Sequence, residues 1–153
     1  MEFLEHKIPP PAVGLGIGIV MWYLASLVPP FDVTYGVRLG LALASLVVGQ
    51  AIAIAGMVAF RRAKTTVNPI KISTASSLVS SGVFQYTRNP MYLGMAITLV
   101  GFAAYLASWL ALLGVSLFVL YINRFQIAPE ERVMASLFGA DYAAYKEKVR
   151  RWI

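Results

Sequence analysis

The sequence predicts an all-α protein, a multi-span transmembrane helix bundle of about four spans followed by cytoplasmic or interfacial C-terminal helices. Of its 153 residues, 59% are hydrophobic and 13% are charged, and the mean hydropathy is +0.70. This balance lies outside that of a soluble domain. The apolar residues also form long blocks rather than the alternating runs of a β-sandwich or barrel. Charge-free stretches cover residues 8–31, 39–60 and 89–123.

These three apolar blocks give the count of four spans. Each of the first two can form one helix of about 20 residues, which crosses a hydrocarbon core of about 30 Å. The third is too long for a single span and holds two shorter helices that turn back near Ala107 and Ser108. The first block is not expected to be a cleaved signal peptide, because three prolines precede it and Trp22 and Tyr23 interrupt its apolar run.

The basic residues between the blocks predict the orientation. One group lies between the second and third spans and the other in the tail: Arg61, Arg62, Lys64, Lys71 and Arg88, then Arg132, Lys146, Lys148, Arg150 and Arg151. Both groups should be cytoplasmic, as should both termini, in a prokaryotic inner membrane or a eukaryotic endomembrane. This topology accounts for the net charge of +6, so nucleic acid is not an expected partner.

Small residues four apart predict close helix packing in the first two spans. The pairs are Gly14 with Gly18, and Gly40 with Ala44. The glycine-rich run from Gly14 to Gly18 is not a dinucleotide loop, because it lies inside a span and no strand precedes it.

The segment of residues 61–89 predicts an irregular cytoplasmic loop that ends at the start of the third span. Its apolar residues, among them Leu78, Val79 and Phe84, are numerous enough to fold back on the bundle. Asn89 is a plausible N-cap and Pro90 a favourable first helical residue. The free N–H groups of this helix end, with Arg88, could bind a carboxylate or phosphate. A membrane helix that simply begins with good capping chemistry is the equally plausible alternative.

After the fourth span, Pro129 with Glu130 and Glu131 predicts the start of another helix. Acidic residues favour a helix N-terminus, so capping alone can explain the two glutamates. Gly139 should interrupt this helix, and Tyr142 and Tyr145 lie on one apolar stripe beyond it. Aromatic anchoring at the membrane interface is the alternative explanation for both tyrosines.

The residue inventory excludes several chemistries. Cysteine is absent and His6 is the only histidine, so thiol catalysis, a histidine-based triad and a multi-imidazole zinc site all lack parts, and no metal is expected. What remains is a cytoplasmic cluster in which anion-accepting groups, Arg88 and the helix end, face the cation-accepting Glu130 and Glu131. A zwitterionic amino acid would suit this pair.

Two sequence motifs then point to a particular protein family. The run Arg88-Asn89-Pro90-Met91-Tyr92-Leu93-Gly94 is followed, after an apolar hairpin, by Glu130-Glu131, Phe138-Gly139, Tyr142 and Tyr145-Lys146. Over roughly residues 61–153 the chain resembles the superfamily of isoprenylcysteine carboxyl methyltransferases and phospholipid methyltransferases. The resemblance implies an integral membrane methyltransferase that uses S-adenosylmethionine. It divides the single domain of residues 1–153 into the loop 61–89, the hairpin 90–127 and the C-terminal helices 128–153.

The resemblance also implies the site. Arg88 and Glu131 are the expected catalytic residues, and the expected cofactor-binding residues are Asn89, Pro90, Tyr92, Leu93, Gly94, Glu130, Glu131, Tyr142 and Tyr145. Isoprenylcysteine enzymes typically carry histidine where this chain has Asn89, which can hold a cofactor but cannot act as a base near neutrality. Among these residues, Glu130 or Glu131 should contact the amino group of the cofactor, while Arg88 and the backbone of residues 89–92 should help to position its carboxylate.

The acceptor predicted from the resemblance is lipophilic or a small nucleophile: an isoprenylcysteine-type carboxylate, a phospholipid amine or a thiol. It should reach the site from the bilayer. Two other functions stay open, an NADPH-dependent membrane reductase of related architecture and a non-catalytic membrane interaction protein. The sequence does not indicate the oligomeric state.

Overall fold

The computed structural model of the chain describes Glu5 and residues 7–63 and 77–153. All regular structure in these residues is helical. The helices are α1 (Pro10–Ser26), α2 (Tyr35–Arg62), α3 (Pro90–Leu106), α4 (Trp109–Ile122) and α5 (Ala128–Lys148). A short 3₁₀ turn, Gly82–Gln85, precedes α3. His6, Lys64, Lys71 and the Asn68-Pro69 pair lie outside the described residues.

The ends of α3 agree with the sequence prediction. The helix begins at Pro90 with Asn89 at the N-cap position, although the Asn89 side chain makes no capping hydrogen bond. It ends at Leu106, where Ala107 takes a left-handed conformation with φ 48° and the chain turns back into α4. The hairpin predicted within the third apolar block is therefore present, with its turn at Ala107 and Ser108.

The start of α5 differs from the prediction in one respect. No loop separates it from α4, because a π-helical turn, Asn123–Ile127, joins the two helices into one run. The wider turn lies directly before Pro129, whose ring would clash with a carbonyl four residues back in a regular helix. Gly139 then kinks α5, with φ 46° and ψ −117°, as predicted.

Two helical runs in the described residues are long and apolar enough to cross a membrane, α2 and the run from Trp109 to Lys148. The apolar helices α1 and α3 have 17 residues each, at the short end of the range of about 17–25 residues for a span. Four spans therefore stay a prediction. Large apolar side chains on the outer faces of α1, α2 and α4 are exposed, including Leu15, Val47 and Leu120. A lipid environment would cover this surface.

Glycines bring α2 and α3 into backbone contact. A Cβ atom added to Gly94 would meet the carbonyl oxygen of Gly49, and one added to Gly56 would lie 2.8 Å from the Pro90 ring. The glycines predicted to mediate packing make no such close approach to the described residues. A Cβ atom added to Gly14 would lie 4.0 Å from the Phe118 ring, and one added to Gly18 or Gly40 would meet no atom within 4 Å. That part of the prediction was wrong, because small-residue spacing alone does not say which face of a helix meets a neighbour.

Candidate functional site

A cavity of about 530 Å³ lies where the C-terminal half of α2, the start of α3 and the start of α5 meet. Eight of the predicted site residues line it: Arg88, Asn89, Pro90, Tyr92, Glu130, Glu131, Tyr142 and Tyr145. The structure thus brings both sequence motifs to one cavity. Leu93 and Gly94 lie outside the lining, and Gly94 is instead the residue that lets α3 approach α2.

Two arginines share the carboxylate of Glu131. Arg151 binds it through two contacts, Nε to Oε1 at 3.1 Å and Nη2 to Oε2 at 2.6 Å. Arg88 approaches the same carboxylate through Nη2, which lies 3.2 Å from Oε1. Such forked contacts are among the stronger ion pairs in proteins. Glu131 is therefore paired with two arginines within the chain.

Arg88 keeps unused hydrogen-bonding capacity. Its side chain is 12% exposed, and its Nε and Nη1 atoms are buried without a hydrogen-bond partner among the described residues. Buried guanidinium donors without partners carry a free-energy cost that an anionic ligand would remove. Arg88 is therefore a cationic side chain at the cavity whose donors are not all used by the described residues.

Glu130 carries the second charged function of the cavity. It lies in the first turn of α5. Tyr92 donates a hydrogen bond of 2.5 Å to its Oε1 atom. Burial raises the pKa of Glu130 to about 7, and the charge of Glu131 adds to the rise, whereas the hydrogen bond from Tyr92 opposes it. A cation bound beside Glu130 would favour its ionised form.

Aromatic side chains form much of the remaining wall. Tyr145 donates a hydrogen bond of 2.7 Å to the carbonyl oxygen of Phe84, so the described end of the loop, residues 77–89, folds back on the bundle as predicted. Burial raises the pKa of Tyr142 to about 12 and that of Tyr145 further, which keeps both phenols neutral at physiological pH. As neutral phenols, neither tyrosine can act as a base at this pH. Both rings offer flat surfaces for a planar ligand.

Asn89 is held by the C-terminal segment. Its Nδ2 atom donates to the carbonyl oxygen of Arg151 at 2.9 Å, and its backbone N–H donates to the Thr87 hydroxyl at 3.1 Å. The side-chain nitrogen of Asn89, a residue predicted to bind the cofactor, is therefore used within the chain. In this position Asn89 orients the segment that carries Arg88.

Several residues that line or support the cavity were not singled out as site residues from the sequence. Arg151 was counted only as a topology-determining charge. The lining from the N-terminal half comprises Pro10, Pro11, Gln50, Ala53, Met57 and Phe60. None of them belongs to a recognisable motif. The one available signal was Gln50, an amide in the middle of an apolar stretch, since polar side chains inside spans are commonly functional.

A second cavity, of about 690 Å³, adjoins the first between α1, α2 and α3. Pro11, Gln50 and Met95 line both cavities. The rest of its wall is mainly apolar and comprises Gly14, Leu15, Gly18, Ile19, Trp22, Thr98, Leu99 and Phe102. An apolar groove among the predicted spans thus continues into the cavity that contains Arg88 and Glu130.

The described residues hold no group of three or more histidine, cysteine, aspartate or glutamate side chains that could bind a metal ion. The site that they form is a charged and aromatic cavity at one end of an apolar helix bundle. Together these features are typical of a membrane protein whose helices enclose a cavity with both acidic and basic side chains.

Comparison with known proteins identifies the family. Residues 37–141 match the phospholipid methyltransferase family, which is more than half of the chain. The chain belongs to this family of membrane methyltransferases, and the resemblance to the phospholipid and isoprenylcysteine methyltransferase superfamily is confirmed.

Two relatives are informative. Protein-S-isoprenylcysteine O-methyltransferase from Schizosaccharomyces pombe is 30% identical over 108 residues, which are 71% of this chain and 46% of the yeast protein. The match thus spans about half the length of that relative. An uncharacterised protein from Haemophilus influenzae is 49% identical over 63 residues, which are 41% of this chain and the whole of that protein. No solved structure matches the chain.

Proposed function

We propose that the chain is an integral membrane enzyme that transfers a methyl group from S-adenosylmethionine to a lipophilic acceptor. One observation carries the proposal: Arg88, whose buried Nε and Nη1 atoms have no hydrogen-bond partner among the described residues, and Glu130 line the same cavity. These two groups complement the carboxylate and the ammonium of one amino acid. Family membership supports methyl transfer, since the family description and the name of the yeast relative both specify it.

The residues fit S-adenosylmethionine in charge, shape and size. Arg88 would bind the carboxylate directly, and Glu131 would act through Arg88 by fixing its guanidinium. Glu130 would bind the ammonium through the oxygen that Tyr92 does not use. Tyr142, Tyr145 and Phe84 offer an apolar, aromatic wall for the adenosine, and about 530 Å³ lies within the usual range of about 300–1,000 Å³ for ligand cavities.

Methyl transfer requires the protein mainly to position the donor and the acceptor. The bound donor supplies an electrophilic methyl group, and a nucleophile aligned with it needs orientation and exclusion of water rather than a metal. The buried tyrosines stay protonated, and Asn89 cannot titrate. This fits an acceptor that is already nucleophilic, such as a carboxylate or thiolate, better than an ammonium lipid that must first lose a proton.

The groove of the second cavity supports a lipophilic acceptor. It is lined mainly by apolar residues and meets the charged cavity at Gln50 and Met95. An acceptor with a long apolar chain could lie in it and present its polar end to the methyl donor. Donor and acceptor would then enter separately, the donor from the aqueous side that we propose to be cytoplasmic and the acceptor from the bilayer.

The direct test is transfer of a radiolabelled methyl group. Purified protein in detergent is incubated with labelled S-adenosylmethionine and a lipid extract of native membranes, with an isoprenylated cysteine analogue as a second acceptor. We expect label in an organic-extractable product. Absence of transfer together with stabilisation by NADPH alone would support the reductase alternative, and binding of neither ligand would support a non-catalytic role.

The raised pKa of Glu130 predicts pH-dependent binding of S-adenosylhomocysteine. The ligand ammonium group pairs with the carboxylate form of Glu130, so affinity should fall as the pH drops below the pKa of about 7. Well below this pKa, the Kd should rise about tenfold for each unit by which the pH falls, because Glu130 must lose its proton before the ligand binds. Calorimetric titrations between pH 5.5 and 7.5 measure it. Glu130→Gln should bind weakly at every pH, and an equally steep profile in that variant would reject the assignment.

A further inference from the structure

The segment that follows α5 returns to the start of α3. The backbone N–H of Arg88 donates to the carbonyl oxygen of Arg150 at 3.1 Å. The carbonyl oxygen of Arg151 accepts hydrogen bonds from Asn89 Nδ2 at 2.9 Å and from the Thr87 hydroxyl at 3.4 Å. These contacts fix the backbone on both sides of Arg88 to the C-terminal segment, residues 149–152.

The same segment supplies the second cation at Glu131. Arg151 contacts both carboxylate oxygens of Glu131, whereas Arg88 contacts only Oε1 and through a single nitrogen. The Glu131 carboxylate therefore neutralises one of the two guanidinium groups. The cluster of Arg88, Arg151 and Glu131 keeps a net charge of about +1 at neutral pH. The surplus donors belong to Arg88, whose Nε and Nη1 atoms have no partner among the described residues.

We infer that Arg151 is a positioning residue for the ligand carboxylate. By occupying both oxygens of Glu131, it prevents Glu131 from forming a two-contact pair with Arg88. Two donors of Arg88 are thereby left for an anionic ligand. Without Arg151, the Glu131 carboxylate would rotate onto Arg88, take up one of these two donors and cancel the surplus charge.

This inference rests on the proposed function, because it assigns the carboxylate end of S-adenosylmethionine to Arg88. Two ligands can distinguish loss of the carboxylate contact from general damage to the cavity. S-adenosylhomocysteine carries the amino acid end, whereas 5′-methylthioadenosine has the same nucleoside without it. A change that acts through Arg88 should weaken binding of the first ligand and leave binding of the second unaltered.

The experiment is a pair of calorimetric titrations on the full chain. For Arg151→Gln we expect the Kd for S-adenosylhomocysteine to rise about tenfold or more, which corresponds to the loss of one charge-assisted hydrogen bond, with no change for 5′-methylthioadenosine. Arg150→Gln is the matched control: it removes the same charge from the neighbouring exposed residue and keeps the backbone contact, so both affinities should be unchanged.

Arg151→Lys provides the second variant should the glutamine variant not fold. It retains the charge but loses the forked contact, and the same selective loss is expected at smaller size. Equal weakening of both ligands, or no weakening of either, in the folded variant would overturn the inference. Failure of the wild-type chain to bind S-adenosylhomocysteine would instead contradict the proposed function, so the two failures are distinguishable.

Discussion

Replacement of Arg88 by glutamine should abolish most of the affinity for S-adenosylhomocysteine while the protein remains folded. Truncating one partner of a buried, hydrogen-bonded charge pair costs about 2–5 kcal/mol, or roughly 30-fold or more in Kd. Folding should survive because Glu131 keeps its two contacts with Arg151. Calorimetric titration measures the affinity, and size-exclusion chromatography in detergent checks the folded state.

The control for this prediction is Arg61→Gln. Arg61 lies near the C-terminal end of α2, is exposed and does not line the cavity, so its loss removes the same charge without removing a ligand contact. Equal affinities of the wild-type, Arg88→Gln and Arg61→Gln proteins would show that Arg88 does not bind the ligand.

Replacement of Gly94 by alanine should strongly destabilise the helix bundle. The added methyl group would meet the carbonyl oxygen of Gly49 and lie 3.1 Å from the Ala53 Cβ atom. Because one of these neighbours is backbone, no rotamer change relieves the overlap, and overpacking of this kind costs about 1–3 kcal/mol or more. The separation of α2 from α3 would also move the cavity wall that Met57 and Gln50 form.

A thermal unfolding scan in detergent measures this effect. The Gly94→Ala variant should unfold at least about 3 °C below the wild type, since about 1 kcal/mol shifts the midpoint of a chain of this size by a few degrees. Gly40→Ala is the control, because Gly40 is also helical and faces open space. It should unfold at or above the wild-type midpoint, in line with the higher helix propensity of alanine. Equal midpoints for the two variants would refute the packing account.

The features that the sequence predicted well depend on local chemistry. The helix start at Pro90 follows from proline and asparagine preferences at helix ends, and the turn at Ala107 and Ser108 follows from the limit that membrane thickness places on helix length. The kink at Gly139 likewise follows from one residue type. Family resemblance, rather than spacing, joined the two motifs into one site.

The features that the sequence did not predict depend on contacts between distant segments. The interaction of Arg151 with Glu131 requires the segment after α5 to return to the first turn of α5, and charge composition alone cannot distinguish that role from membrane topology. Which glycines meet a neighbour depends on how each helix is rotated, so Gly49 and Gly94 were not separable from Gly18 and Gly40. The contribution of α2 to the cavity has no motif at all.

The central claim is that one cavity binds the two charged ends of S-adenosylmethionine, through Arg88 and Glu130. Calorimetric titration of the purified wild-type protein with S-adenosylhomocysteine, next to an identical titration with NADPH, tests it most directly. The account predicts saturable binding of one S-adenosylhomocysteine per chain and no heat from NADPH. The absence of S-adenosylhomocysteine binding in protein that is folded and monodisperse would contradict it.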